Sequence, residues 1–213
     1  MSWTLLTLLS VVQAAPVAPP GTSSMDREGI RLSVRGVGES WQDPNLTRIY
    51  KDSIFSGGVG VAVPLHTYVG IEIEASYKRQ AGVEVFAEDG EVSGIASAFE
   101  LVPLTLAVHG RWPLANSGEL YLGLGPTISV FTEEHSIRSD NGQVSTQGMK
   151  INMDSRLGIR VDTGLHQPSM APGLNGELQA VDLEVFIGRR WQFGATGFDL
   201  SAWRAGLGLA FRM

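Results

Sequence analysis

Fifteen ionisable side chains recur at even spacing along this chain, and that spacing is the first clue to their chemistry. Arg31 and Arg35 stand in IRLSVR, Glu72, Glu74 and Lys78 in IEIEASYK, and His109 and Arg111 in AVHGR. Arg156, Arg160 and Asp162 follow in SRLGIRVD, Asp182 and Glu184 in VDLEV, and Glu119, Arg190 and Arg204 stand singly in similar surroundings. Residues two or four apart share one face of an extended strand. Mixed arginines and carboxylates on such a face can do one thing well: guanidinium forks bridging carboxylates in a hydrogen-bonded network. Other chemistries lack their parts. The chain has no cysteine, hence no disulfide framework, thiolate zinc site or cysteine nucleophile. Its histidines, His66, His109, His135 and His166, show no metal-ligand spacing and no HExxH. His135, with Ser129, Ser136 and Ser139, could serve lipid-modifying chemistry, but a hydrophilic loop explains the same residues. EDGE at 88–91 and SDNG at 139–142 read as turns, with weak calcium binding as the alternative. No enzyme activity, cofactor or metal is expected.

The elements that carry these residues are strands. In GELYLGLGPTISVF (118–131), Leu120, Leu122, Leu124, Ile128 and Val130 fall opposite Glu119, Tyr121, Gly123, Gly125, Thr127 and Ser129. The same two-residue period returns in IRLSVRG (30–36), FSGGVGVAV (55–63), YVGIEIEASYK (68–78) and ELVPLTLAVHGRW (100–112). It returns again in SRLGIRVD (155–162), VDLEVFIGRRW (181–191) and WRAGLGLAFRM (203–213). These eight stretches predict an all-β protein, an eight-stranded antiparallel up-and-down barrel. Several reach the length that a tilted membrane strand needs, and no helical period appears between them.

Two features orient the faces. The polar face is rich in Gly, Ala and Ser, which leaves room for long Arg and Glu side chains inside a narrow barrel. The other face is nearly pure Val, Leu and Ile, with Tyr77, Trp112, Trp191, Trp203 and Phe211 toward strand ends, as membrane interfaces require. The apolar face is therefore expected to meet lipid and the charged face to line the lumen; a soluble lipocalin-like barrel would invert them. The basic groups, Arg212 included, outnumber the acidic ones on the proposed lumen face, so some of those near the ends are expected to meet water or lipid phosphates. The links PLHT and PLANS are tight. Segments 38–54, 82–98 and 132–148 read as long loops and are expected at one end, outside the cell.

The start of the chain supplies a localisation signal. WTLLTLLSVV followed by VQA reads as a signal peptide over 1–14, too short to span a bilayer, although no Lys or Arg precedes it. Residues 15–28, rich in Pro and Ser, read as a flexible leader, and residues 29–213 as one barrel domain. The net charge of −6 and the lack of a basic stretch interleaved with aromatics argue against nucleic acid as a partner.

On ELYLGLGPTISVF, VDLEVFIGRRWQF and GFDLSAWRAGLGLAFRM, region 29–213 resembles the small eight-stranded bacterial outer-membrane barrels of the OmpA and OmpX kind. The resemblance implies an exported, lipid-embedded, single-domain protein of the Gram-negative cell envelope, with no large periplasmic domain. Its partners would be outer-membrane lipid, the barrel assembly machinery and a surface ligand met through the loops. Proteins of that kind usually end on an aromatic residue, whereas here Arg212 and Met213 follow Phe211. Three roles stand open at this point: a structural or surface-interaction barrel with a plugged polar lumen, a narrow channel for ions or small solutes, and a lipid-modifying enzyme.

Overall fold

The computed structural model describes residues 29–50, 53–88, 91–114, 118–136, 143–163, 180–193 and 197–213. The expected signal peptide (1–14), leader (15–28), His166 and the SDNG turn lie outside them. Eight antiparallel strands form a closed barrel in chain order. They are β1 (Arg31–Trp41), β2 (Ser53–His66), β3 (Val69–Glu88), β4 (Glu91–Leu114), β5 (Gly118–Ser136), β6 (Gln143–Asp162), β7 (Ala180–Gln192) and β8 (Ala202–Arg212), with one helix, α1 (Pro44–Tyr50), between β1 and β2. Closure comes from β1 pairing with β8, from Arg31 opposite Arg212 to Trp41 opposite Ala202. No edge strand is left around the ring.

Alternation of side chains decides what the wall separates. Leu122, Leu124, Ile128 and Val130 of β5 point outward and are exposed, as are Ile73, Val108, Leu157, Ile187 and Leu207 on other strands. Glu72, Glu74, Arg156, Arg160 and Glu184 point inward and are buried. This is the reverse of a water-soluble protein, in which apolar groups leave the surface and charges take it. The faces fall as the membrane reading expects and opposite to the lipocalin-like one.

Close approach of strands depends on particular glycines. A Cβ on Gly125 of β5 would lie 1.9 Å from the Leu106 carbonyl oxygen and 2.6 Å from the Ala107 Cα of β4. Opposite Pro103, which has no N–H to donate, the β3–β4 ladder is interrupted between the pairs Ala75–Leu104 and Lys78–Leu101.

The segments expected to be long loops are built differently. At the upper end, where β1 stops and β2 starts, β3 and β4 stay paired out to Glu88 opposite Glu91, and β5 and β6 out to Ser136 opposite Gln143. Segments 82–98 and 132–148 are thus mostly paired strand. Beyond Val83 and Val85 the apolar row thins out, yet the backbone ladder continues. Segment 38–54 holds the end of β1 and α1. Asp43 caps this helix, its Oδ1 accepting the Asn45 N–H (2.7 Å) and the Leu46 N–H (3.2 Å), and Pro44 occupies the first turn, where no N–H is needed. All three segments lie at the same end of the barrel. The link 163–179 joins β6 to β7 at the opposite, lower end, where the links at 67–68 and 115–117 are short, so one long link falls at that end as well.

Candidate functional site: a charged lumen beneath an apolar cap

Inward residues of neighbouring strands stack in layers. At the lower end, Arg31 of β1 forks onto Glu119 of β5, Nη1 to Oε1 at 2.7 Å and Nη2 to Oε2 at 2.9 Å. Arg160 Nη1 donates to the same Glu119 Oε1 at 2.7 Å. Arg212 Nη2 donates to Asp182 Oδ1 at 2.8 Å. Half-buried Asp162 lines a small hollow with Arg31, Gly118, Glu119, Arg160, Asp182 and Arg212.

The middle layer is centred on three carboxylates. Glu72 and Glu74 both accept from Arg35 Nη1 and from Arg156 Nη1, the latter at 2.9 and 2.7 Å. Arg35 also donates from Nε (3.1 Å) and Nη2 (3.0 Å) to Glu184, which accepts the Tyr121 hydroxyl as well. Arg160 Nη2 stands 3.5 Å from Glu72 and 3.6 Å from Glu184. Phe186 supplies an aromatic face, its ring centre 6.0 Å from the Arg35 guanidinium and 5.6 Å from that of Arg156. The pair two residues apart on β3 thus shares basic partners from β1 and β6, on different sides of the lumen.

The upper layer holds Glu39 and Asp154. Glu39 accepts from Lys78, from Arg204 Nε (3.1 Å) and from Arg190 Nη1 (3.4 Å). Asp154 Oδ2 accepts from Arg204 Nη1 and from Arg190 Nη2 (3.3 Å). Arg204 Nη2 reaches down to Glu74 at 3.3 Å, which ties this layer to the one below.

Above these charges sits a hydrophobic cluster inside the barrel: Trp41, Leu46, Tyr50, Ile54, Phe99, Leu101, Phe131, Leu200 and Ala202, with Ile49 and Phe198 packed against it. Phe99 is its hub, with ring centres 5.4 Å from Trp41 and from Tyr50 and 5.7 Å from Phe198. α1 reaches this position because β2 leaves β3 above the Gly57–Tyr77 pair. The helix then packs on β3, where a Cβ on Gly82 would stand 2.6 Å from the Ile49 carbonyl oxygen. Polar ties hold the cap to the rim. Asp43 Oδ2 accepts the Asp199 N–H at 2.6 Å, and the Tyr50 hydroxyl donates to Glu133 at 2.7 Å.

The structure brings together Arg31, Arg35, Glu72, Glu74, Lys78, Glu119, Arg156, Arg160, Asp182, Glu184, Arg190 and Arg204 in ion pairs, with Asp162 at the lower rim. Arg111 is buried with no carboxylate paired to it among the described residues, and its Nη2 donates to the Thr67 carbonyl at 3.2 Å. His109 lies with Nε2 3.4 Å from Glu72 Oε2, and its Nδ1 has no hydrogen-bond partner among the described residues. The basic excess read from the sequence narrows once the buried carboxylates of Glu39 and Asp154 are added, and Arg212 at the lower end pairs with Asp182. Both missed carboxylates follow the inward parity of their own strands, Glu39 from Arg35 and Asp154 from Arg156.

Ser129 and His135 do not form a reactive pair. Ser129 is buried in the wall and accepts from Asn152 Nδ2 at 2.8 Å. His135 is on the same strand six residues further up, roughly 20 Å away at strand rise, with its ring 3.6 Å from Glu133. The Ser136 side chain and Ser139 lie outside what is described. Among the described residues no group of three or more His, Asp or Glu side chains is placed to hold a metal ion.

No protein-family model and no curated protein matches the chain. Solved structures do match. Neisserial surface protein A (NspA) superposes with a TM-score of 0.54 at 10% identity, over 87% of this chain and 97% of that one. The outer membrane protein OprG from Pseudomonas aeruginosa superposes with a TM-score of 0.54 at 14% identity, over 88% and 97%. At such identities the likeness is one of fold: a small eight-stranded barrel of the outer-membrane type, with its apolar wall outward and its charges inward.

Proposed function

We propose that this chain is an integral protein of the bacterial outer membrane, a rigid barrel closed to solutes that presents its upper end at the cell surface as an interaction platform. The single observation behind the closed lumen is the stacked network that runs from Arg31–Glu119 to Glu39–Arg204 with the Phe99 cluster above it. An eight-stranded barrel has only enough interior for side chains to fill, and here the side chains that fill it are bridged across the lumen in every layer. Orientation follows from strand length. Nine to eleven tilted residues cross a bilayer, and β1 and β8 have 11, whereas β3, β4, β5 and β6 have 20, 24, 19 and 20. The excess stands above the upper rim as paired strand, the part a surface ligand would meet. Outer-membrane lipid surrounds the wall, and the barrel assembly machinery would handle the β8 end carrying Phe211.

Purified protein in a planar bilayer tests the reading. The expected record is flat, with no steady conductance. Stable, reproducible single-channel currents from the unaltered chain would overturn it in favour of a narrow channel.

A further inference from the structure

The lipid-facing wall carries two described arginines, and they are treated differently. Arg79 on β3 meets a carboxylate, its Nε 3.3 Å from Glu100 Oε1, with the Tyr77 hydroxyl on the same glutamate. Arg189 on β7 meets none. It points outward in register with Val185 and Ile187, and no carboxylate among the described residues pairs with it. Among the described residues its guanidinium makes one hydrogen bond, from Nη2 to the neutral Gln42 Oε1 at 3.2 Å, while its Nε is buried without a partner, so the Nη end is what faces outward.

The surroundings of Arg189 are built rather than incidental. Trp203 of β8 lies directly across from it, ring centre 4.9 Å from the guanidinium, and Trp191 stands at 5.8 Å. Across the other ladder its neighbour is Ser155 of β6, in an outward row whose nearby members are Ile151, Met153 and Leu157. A cation, a hydroxyl and an amide therefore share one spot in an otherwise apolar belt, between two indoles of the kind that settle at headgroup level. A charged side chain on a barrel's lipid face is costly toward the bilayer midplane, and a guanidinium without a carboxylate is suited to a planar fork on phosphate.

We propose that Arg189, with Ser155 and Gln42 beside it and Trp191 and Trp203 at its flanks, is a binding site for the phosphate of a membrane lipid headgroup, whose acyl chains lie along Ile187 and Leu207 on the wall below. The inference rests on the lipid-embedded reading of the barrel. The guanidinium holds the phosphate oxygens through its Nη groups, the buried Nε staying behind them, and the indoles frame the headgroup region; the Ser155 hydroxyl, which donates to the Arg189 carbonyl at 3.4 Å, braces the arginine's backbone. The site fixes a lipid at one azimuth of the barrel, on the β6–β7–β8 side.

The test uses the full chain folded in a phosphate-free sugar detergent, with folding confirmed by gel mobility without boiling. The Arg189 Nε–H resonance, assigned by its loss in Arg189→Gln, is followed during titration with phosphatidylglycerol, with a phosphate-free galactolipid of matched chains, and with inorganic phosphate. Phosphatidylglycerol should shift the resonance saturably; the galactolipid, and inorganic phosphate at the same concentration, should not. By tryptophan fluorescence Arg189→Gln should raise the half-saturating concentration at least about tenfold, the loss of a charge-assisted bond, with Arg189→Lys in between. An unchanged titration in Arg189→Gln, or an equal response to the galactolipid, overturns the site while leaving the embedded barrel standing. Saturation by inorganic phosphate alone overturns the lipid as its ligand. A chain that folds into no detergent or lipid overturns both.

Discussion

Glu39→Gln is the sharpest perturbation of the lumen because it keeps shape and removes one charge. Glu39 faces Lys78, Arg190 and Arg204. The two arginines retain Asp154 after the change. Lys78 does not: among the described residues Glu39 is its only carboxylate, and its ammonium is buried over the Trp41 ring at 5.8 Å. The substitution thus strands one buried cation, which costs about 3–5 kcal/mol. Removing that cation as well, in Glu39→Gln with Lys78→Met, should restore a large part of the loss, because an apolar group in place of a broken ion pair leaves no charge to solvate. Lys78→Met alone should be milder than Glu39→Gln, since Glu39 keeps both arginines. The assay is equilibrium urea unfolding of the barrel in phospholipid vesicles, read by tryptophan fluorescence and by gel mobility without boiling. A Glu39→Gln barrel within about 1 kcal/mol of the parent, or a double variant no more stable than the single one, would refute the reasoning that paired charges hold the lumen shut.

Three further outcomes follow from the wall and the cap. Leu122→Arg should destabilise the barrel by about 2–4 kcal/mol in vesicle unfolding, whereas Gly123→Ala next to it should be mild, since its Cβ meets only the flexible Arg156 side chain, at 3.2 Å from Cγ. Gly125→Ala should fail to yield the heat-modifiable folded band, because its Cβ would fall 1.9 Å from a backbone oxygen; a normal band would contradict the registered β4–β5 ladder. Asp43→Ala removes the acceptor of three backbone N–H groups and should cost about 0.5–2 kcal/mol. It should also speed tryptic cleavage after Arg48 in the folded barrel, and unchanged cleavage would mean that Asp43 does not hold the cap.

How far the sequence could be read depended on where its apolar alternation stopped. Along β5 the faces are legible residue by residue, because Leu120 to Val130 alternate with Gly, Thr and Ser. Inward parity likewise placed Glu72, Glu74, Arg156 and Arg160 together. Glu39 escaped because GESWQDPN reads as a loop, and Asp154 because it stands one residue before SRLGIRVD, although the outward row of Met149, Ile151 and Met153 and two-residue steps from Arg35 and Arg156 lead to both. The cap was beyond periodicity altogether. Phe99 and Leu101 are apolar yet point inward, against the rule that apolar means outward in this protein, and only α1 arriving from the β1–β2 link explains them. Asp43-Pro44 is a helix-start signal, but seven residues are too few to show a helical period. The upper hairpins read as loops because the apolar row thins out beyond Val83 and Val85 and turn residues follow, while a strand ladder needs only backbone.

The central claim is that the charged face is inside and the leucine face meets lipid, and one scan tests it most directly. The chain has no native cysteine, so single cysteines placed in turn at 120–130 carry the only spin label. In vesicles the account predicts strict alternation. Labels at 120, 122, 124, 128 and 130 should be relaxed by oxygen, which partitions into lipid. Labels at 121, 127 and 129, whose side chains are buried in the barrel interior, should be shielded from both oxygen and a water-soluble relaxant. Oxygen access at the odd positions, or access of the water-soluble agent at 122 and 124, would contradict it.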